Sequence, residues 1–239
     1  YILADPKIIP KEDFNFYSEK IINMPETYQP HSPIPFEIKY KRSDFNLPED
    51  IFILGCFSRI EKILPNIFDI WMNVLGKFED VYLALCITNQ NIKKNIKIYC
   101  DKQQFDFNKI IFLNPIDHKE NLKRISTFDL YLDTFPYNGH TGISDSLFQS
   151  CVPTISFTGK SFASRVSYSL LSTANLQKLA TYNEKDYAEM IEYYCTNRKD
   201  LENIKEYLIE FKKSNLNRMI KFTQDFEKIL TSVHQYYKS

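Results

Sequence analysis

The stretch with the most chemistry runs Asp133-Thr134-Phe135-Pro136-Tyr137-Asn138-Gly139-His140-Thr141-Gly142-Ile143-Ser144-Asp145. It leaves a strand-like apolar run and enters a helical one. The first N–H groups of a helix lack intrahelical acceptors and sit at the positive end of its dipole, so such a turn suits phosphate. Gly139 and Gly142 let a ligand approach the backbone. Thr141 offers a hydroxyl to a phosphate oxygen, His140 a proton or hydrogen bond, and Asp145 a carboxylate to ribose hydroxyls. The same residues also suit an ordinary strand-to-helix turn capped by Thr or Ser.

Other loops carry weaker signals. In Gly55-Cys56-Phe57-Ser58-Arg59-Ile60-Glu61-Lys62-Ile63-Leu64-Pro65, Arg59 and Lys62 can reach a diphosphate. They also read as solvated surface charge paired with Glu61, which contributes little. In Asn114-Pro115-Ile116-Asp117-His118-Lys119-Glu120-Asn121-Leu122-Lys123-Arg124, His118 can stack on a base or ribose. Asp117 is expected to cap a helix, with Glu120 completing a capping box. Gly159-Lys160-Ser161 resembles part of a phosphate-binding P-loop, but Thr154 stands where that motif requires its first glycine. The chain has no H-E-x-x-H and no G-x-S-x-G, and His140 has no nucleophile at a defined elbow, so nothing supports a hydrolase.

These loops need a frame that brings them together. Ile51 to Phe57, Val81 to Ile87, Ile110 to Leu113, Leu130 to Leu132 and Thr154 to Phe157 are short apolar runs without polar alternation. Helical stretches are expected between them: one from Pro65 with Ile67, Ile70, Trp71, Val74 and Leu75 on its buried face, then 90–103, 117–126, 141–151 and 160–171. Strands apolar on both sides and alternating with helices predict a parallel sheet with helices on both faces, a Rossmann-like α/β fold. Its ligand loops gather at one sheet edge.

Before this unit, Tyr1 to Ile9 starts as a strand and breaks at Pro6 and Pro10. A short helical piece with Phe14, Tyr17, Ile21 and Ile22 on its apolar side follows. Pro25, Pro30, Pro33 and Pro35 then make residues 23–50 an extended surface connector. After Asn183 the chain is helical, with one apolar stripe of Leu201, Ile204, Leu208 and Phe211 and another of Met219, Phe222, Phe226 and Ile229.

Composition narrows the setting. The 239 residues carry a formal net charge of zero, which gives no basic surplus for nucleic acid. The five cysteines, Cys56, Cys86, Cys100, Cys151 and Cys195, are widely spaced and form no C-x-x-C pair. A disulfide framework and a zinc site are therefore disfavoured, and a reducing cytoplasm is the expected compartment. No apolar run is long enough to span a bilayer, and no signal peptide is visible. The chain opens on Tyr1 without an initiator Met, and we expect it to be a piece of a longer protein.

Taken in order, the loops resemble the C-terminal catalytic lobe of the O-GlcNAc transferase family. These are glycosyltransferases of GT-B fold that often carry N-terminal tetratricopeptide repeats. The matching motifs are Leu132-Asp133-Thr134 through Asn138-Gly139-His140-Thr141 to Asp145, and Gly159 with Phe162-Ala163-Ser164-Arg165-Val166. Tyr1-Ile2-Leu3-Ala4-Asp5, Tyr17-Ser18-Glu19-Lys20 and Met24-Pro25 resemble the exit of the family's N-terminal lobe. The similarity spans nearly the whole chain. It implies that residues 1–50 end an N-terminal lobe and form a connector, while 51–239 form the nucleotide-sugar lobe with its C-terminal helices.

The resemblance further implies transfer of a sugar, GlcNAc, from a UDP-sugar to Ser or Thr hydroxyls of proteins, without a metal or other cofactor. Lys62 would bind the distal phosphate and stabilise the departing diphosphate. His140 and Thr141 would contact the diphosphate, Asp145 would hold the ribose, and Arg124 would lie in the segment framing the base. The missing N-terminal lobe and repeats would be partners, and this piece alone would be inactive. The chain departs from the family at the nucleotide site. Arg59 stands where an amide side chain is common, Gly142 where a second Thr follows His-Thr, and His118 and Asn121 where a Lys and a base-stacking His are usual. Another UDP-sugar, a GDP-sugar such as GDP-fucose, a small-molecule or lipid-linked acceptor, and a non-enzymatic interaction platform all remain alternatives.

Overall fold

The computed structural model describes residues 1–31, 34, 37–215 and 217–238. Pro33 and Pro35, part of the expected connector, lie outside the described residues. The chain begins with β1 (Ile2–Ala4) and β2 (Ile21–Asn23), a small parallel pair. The main unit is β3 (Phe52–Cys56), α1 (Pro65–Leu75), β4 (Val81–Cys86), α2 (Gln90–Gln103), β5 (Ile110–Leu113), α3 (His118–Ile125) and β6 (Leu130–Leu132). It continues with α4 (Thr141–Ser144), β7 (Thr154–Phe157), α5 (Val166–Thr173) and β8 (Ala180–Thr181), then α6 (Glu184–Thr196), α7 (Arg198–Ser214) and α8 (Arg218–Lys238).

The main sheet has six strands in the order β5-β4-β3-β6-β7-β8, all parallel. Helices flank it, as the unbroken apolar runs require: every residue of β3, β6 and β7 is buried. On α1, Ile67, Trp71, Val74 and Leu75 are buried as the spacing predicts, joined by Phe68 and Met72, while Ile70 is half-buried. α1 packs on β4 and on α6, which also meets β7. Asp117 caps α3 by accepting from the N–H groups of Lys119 at 2.9 Å and Glu120 at 3.4 Å. Glu120 takes Lys123 Nζ at 2.6 Å, so its carboxylate serves an i,i+3 pair where a capping box was expected. Leu201, Ile204 and Leu208 are buried and Phe211 half-buried, whereas Met219, Phe222, Phe226 and Ile229 are all only half-buried.

The structure revises the expected N-terminal helix. A short 3-10 turn covers Lys11–Phe16, and Ile21 and Ile22 lie in β2, opposite Ile2 and Leu3. Long-range parallel pairing outweighs the helical spacing there. The connector also does more than cross the surface: Met24, Thr27 and Leu47 are buried. Asp5 is the reason for part of this. Its carboxylate accepts from the N–H groups of Lys7 at 2.8 Å, Ile8 at 3.0 Å and Tyr28 at 3.0 Å, and from Ser169 Oγ on α5 at 2.6 Å. Arg42 is the other anchor, with ion-pair contact to Asp129 at 2.5 Å and a hydrogen bond to the Thr127 carbonyl at 3.1 Å. The expected 141–151 helix is a single α turn running into a π turn, Asp145–Gln149. The 160–171 helix divides into a 3-10 turn, Phe162–Ser164, and α5. β8, two residues long, has no apolar run to announce it.

Candidate functional site

In this strand order β3 and β6 are neighbours at the centre, and the connections from them run to opposite sides of the sheet. Such a switch point leaves a crevice beyond the carboxyl ends of the two strands. The loops that meet there are Phe57–Leu64 after β3 and Asp133–His140 after β6. Gly55 leaves room for the Phe128 ring on the sheet: a Cβ there would fall 2.3 Å from Phe128 Cδ2.

Asp133 holds the second loop in shape. It is fully buried. Its Oδ1 accepts from the N–H groups of Thr134 at 2.8 Å and Gly139 at 2.7 Å, and its Oδ2 from Ser156 Oγ at 2.8 Å. Burial pushes its carboxyl up to about 6, against the pull of hydrogen bonds from Ser167, Gly139, Ser156 and Thr134. Asn138, also fully buried, donates from Nδ2 to the carbonyls of Thr134 at 2.9 Å and Phe157 at 3.2 Å. The loop contains a cis Phe135–Pro136 bond. Pinned at both ends, it exposes Tyr137 and holds His140 half-buried.

Lys62 reaches across from the β3 loop. Its Nζ donates to the Asn138 carbonyl at 2.9 Å and lies 3.9 Å from the centroid of the Tyr137 ring. Among the described residues no carboxylate comes within ion-pair distance of it. Burial lowers its pKa, partly opposed by the charge of Asp133. The His140 imidazole stacks on the same Tyr137 ring, 5.2 Å between centroids and 18° between planes. Burial first, and then the Lys62 charge, push the His140 pKa down, which favours the neutral imidazole. Its Nε2 is buried without a hydrogen-bond partner, which marks a polar group awaiting one. Immediately beyond, α4 makes its first backbone bond from Ser144 N–H to the His140 carbonyl at 3.1 Å, leaving Thr141, Gly142 and Ile143 as the first-turn donors. Thr141 and Gly142 are exposed.

A second group lies beside the first. Asp145 Oδ2 meets His118 Nε2 at 2.9 Å; the carboxylate side chain is 18% exposed and the imidazole 59%. Tyr131 lies between the β3 loop and α4: its hydroxyl accepts from Phe57 N–H at 2.8 Å and lies 3.9 Å from where a Cβ on Gly142 would sit. Arg124 is 4% exposed and turned to structure: it donates to the Asn114 carbonyl at 2.8 Å and Asn121 Oδ1 at 2.6 Å and lies over the Phe57 ring at 5.1 Å. The Arg59 side chain is 83% exposed and meets Glu61 at 3.6 Å, while its charge acts on Lys62.

The structure thus brings Lys62, His140, Thr141 and Gly142 to one crevice with Asp145 and His118 at its side. It turns Arg124 to the Asn114 carbonyl and Asn121 and leaves the Arg59 side chain exposed. Sequence reasoning did not single out Asp133, Asn138 and Tyr137. A buried-type strand followed at once by an acid, with glycine six residues on, was the available signal for Asp133. Among the described residues no three His, Cys, Asp or Glu side chains cluster to hold a metal ion, and no helix is long and apolar enough to cross a membrane.

Comparison with known proteins bears on this crevice. The curated relatives include the Arabidopsis thaliana protein named Probable UDP-N-acetylglucosamine–peptide N-acetylglucosaminyltransferase SEC, 30% identical over 77% of this chain and 20% of its own length. The Petunia hybrida SPINDLY protein, named as the same type of enzyme, is 26% identical over 99% of this chain and 26% of its own length. The chain therefore spans about a fifth to a quarter of these relatives. Among solved structures, a Thermobaculum terrenum O-GlcNAc transferase mutant superposes with a TM-score of 0.86 at 23% identity, over 95% of this chain and 44% of that one. The Anabaena protein HepE in complex with UDP and glucose gives a TM-score of 0.55 at 14% identity, over 77% of this chain and 49% of that one. Both show the GT-B lobe fold. The family model for glycosyl transferase family 41 matches residues 33–226, and the chain belongs to that family.

Proposed function

We propose that this chain is the nucleotide-sugar-binding lobe of a protein O-glycosyltransferase that moves GlcNAc from UDP-GlcNAc to Ser or Thr hydroxyls. The observation that carries the reading is Lys62: a half-buried ammonium that, among the described residues, has no carboxylate within ion-pair distance, beside His140 with its unpartnered Nε2, at the switch point of a parallel sheet. The names of the curated relatives supply the donor and the acceptor class. In the reaction the acceptor oxygen bonds to the anomeric carbon and the bond from that carbon to the diphosphate oxygen breaks. The diphosphate leaves with the electron pair, and the acceptor proton passes to a base outside the residues assigned here. Lys62 stabilises the growing negative charge, which acts on the transition state more than on the ground state.

His140, Thr141, Gly142 and the first-turn N–H groups of α4 would meet the diphosphate, and no cofactor or metal enters this scheme. Asp145 would take the ribose and Arg124, through Asn121, would shape the base pocket, with His118 at its rim. The acceptor side and the tetratricopeptide repeats would come from the portion of the relatives' length that this chain does not span. The cytoplasm is the setting we propose, on the strength of five cysteines that are all free.

One observation favours a second reading, a non-catalytic relative: Asp145 is already engaged by His118. Calorimetric titration with UDP and with GDP, each without and then with magnesium, separates the readings. Saturable UDP binding without magnesium, weakened about 10- to 100-fold by Lys62→Ala, is the expected result. Preference for GDP would reassign the donor. Failure of the folded protein to bind either would remove the transferase reading of this lobe.

A further inference from the structure

Tyr137 is the exposed aromatic of the crevice, 47% exposed, and its ring serves two partners at once. Lys62 Nζ lies 3.9 Å from the centroid and the His140 ring stacks at 5.2 Å. The loop that carries the ring is held in place. The Tyr137 carbonyl accepts from Thr134 Oγ1 at 2.7 Å, and the next residue, Asn138, is fully buried and hydrogen-bonded through its side chain. Lys62, by contrast, comes from a short 3-10 turn, Ile60–Lys62, on a long flexible stem. A single hydrogen bond to the Asn138 carbonyl would leave the ammonium free to swing about that contact. The negative face of the ring, 3.9 Å away, restricts that freedom.

We propose that Tyr137 is a positioning residue for anion recognition: its ring aims the Lys62 ammonium and braces the His140 imidazole toward the diphosphate. The inference rests on the transferase reading of the crevice and adds to it a residue which that reading does not use. The charged and titratable groups around the trio are Asp133, Arg59 and Cys56 near Lys62, Lys62 near His140, and Tyr28 near the Tyr137 hydroxyl. None of them pairs with the Lys62 ammonium within ion-pair distance, so the ring is the main orienting partner besides the Asn138 carbonyl. The phenol oxygen has no part in the orientation, and phenylalanine should serve equally well.

The test compares the native protein with Tyr137→Leu and Tyr137→Phe. UDP and inorganic pyrophosphate are titrated calorimetrically, and the Lys62 side chain is followed through its own titration by NMR of labelled lysine. Tyr137→Leu is expected to weaken both ligands about 2- to 30-fold, as loss of one cation–π contact predicts. It is also expected to lower the Lys62 pKa, because the ring favours the charged form. Tyr137→Phe is expected to restore both. Native-like binding or an unmoved Lys62 pKa in the leucine variant overturns the proposal, and so does a phenylalanine variant that behaves like leucine. Should the native protein bind neither ligand, the transferase reading fails, while the Lys62 pKa in the two variants still decides the role of the ring.

Discussion

Removing the carboxylate of Asp133 tests the idea that this residue builds the site. Alanine there strands two buried N–H groups, Thr134 and Gly139, and the Ser156 hydroxyl. Each stranded group costs about 1–3 kcal/mol, and the hydroxyl can turn, so the loss is about 2–6 kcal/mol. That is a large part of the stability of an ordinary domain, about 5–15 kcal/mol. Asparagine keeps an oxygen for the two N–H groups and presents an amide to Ser156, whose hydroxyl can accept, so its loss is about 1 kcal/mol.

The two variants also differ from native in pH dependence. Burial raises the folded-state pKa of Asp133 to about 6 from 3.8. The folded form therefore holds the proton more tightly. This contribution is complete below pH 3.8 and is lost as pH rises through 6. Between pH 7 and pH 5 the native protein gains on the order of 1 kcal/mol from this group, a gain absent in Asp133→Asn. Groups common to both proteins cancel in the difference.

Urea unfolding at the two pH values, followed by tryptophan fluorescence, reads this directly. Trp71 is the only tryptophan and is fully buried. Its Nε1 donates to the Tyr187 hydroxyl at 3.1 Å, which donates to the Asp133 carbonyl at 2.8 Å. A native-minus-asparagine difference that stays constant between the two pH values would refute the assigned burial effect. An alanine variant as stable as the asparagine variant would refute the hydrogen-bond account.

Two further outcomes are expected from the same assay. Gly55→Ala should cost about 1–3 kcal/mol or more, since its Cβ would meet Phe128 Cδ2 at 2.3 Å within the core, whereas Gly142→Ala, whose Cβ meets nothing nearer than Tyr131 Oη at 3.9 Å, should stay within about 0.5 kcal/mol. Arg42→Ala should cost about 2–4 kcal/mol by leaving Asp129 and the Thr127 carbonyl without their guanidinium, and limited proteolysis should then cut first near residues 41–50.

Much of the fold was legible along the chain. β3, β4, β5, β6 and β7 each coincide with a short apolar run, and α1 with an i, i+3, i+4 stripe that opens on Pro65. Asp117 announced its helix by capping it. Where local pattern and long-range pairing disagreed, pairing won: Ile21 and Ile22 have helical spacing but lie in β2 because β1 is there to meet them. β8 was invisible, since Ala180 and Thr181 become a strand only through Ser156 and Phe157. In the site, Lys62, His140, Thr141, Gly142 and Asp145 stood out as residue types in strand-end loops. Arg59 and Arg124 stood out equally, yet one lies in solvent and the other is spent on Asn114 and Asn121.

The residues by themselves therefore determined the periodicities, the alternation of strand and helix, the glycine-bearing turn and the family motifs, because these depend on neighbours within a few positions. Only the tertiary structure decided the order β5-β4-β3-β6-β7-β8, and with it which loops share a crevice. It also decided that Lys62, 76 residues from Asn138, bonds to its carbonyl, that Asp133 carries the loop, and that one tyrosine ring faces both Lys62 and His140. Strand order, desolvation and ring contact arise between segments distant in sequence, and no local pattern encodes which of those segments will meet.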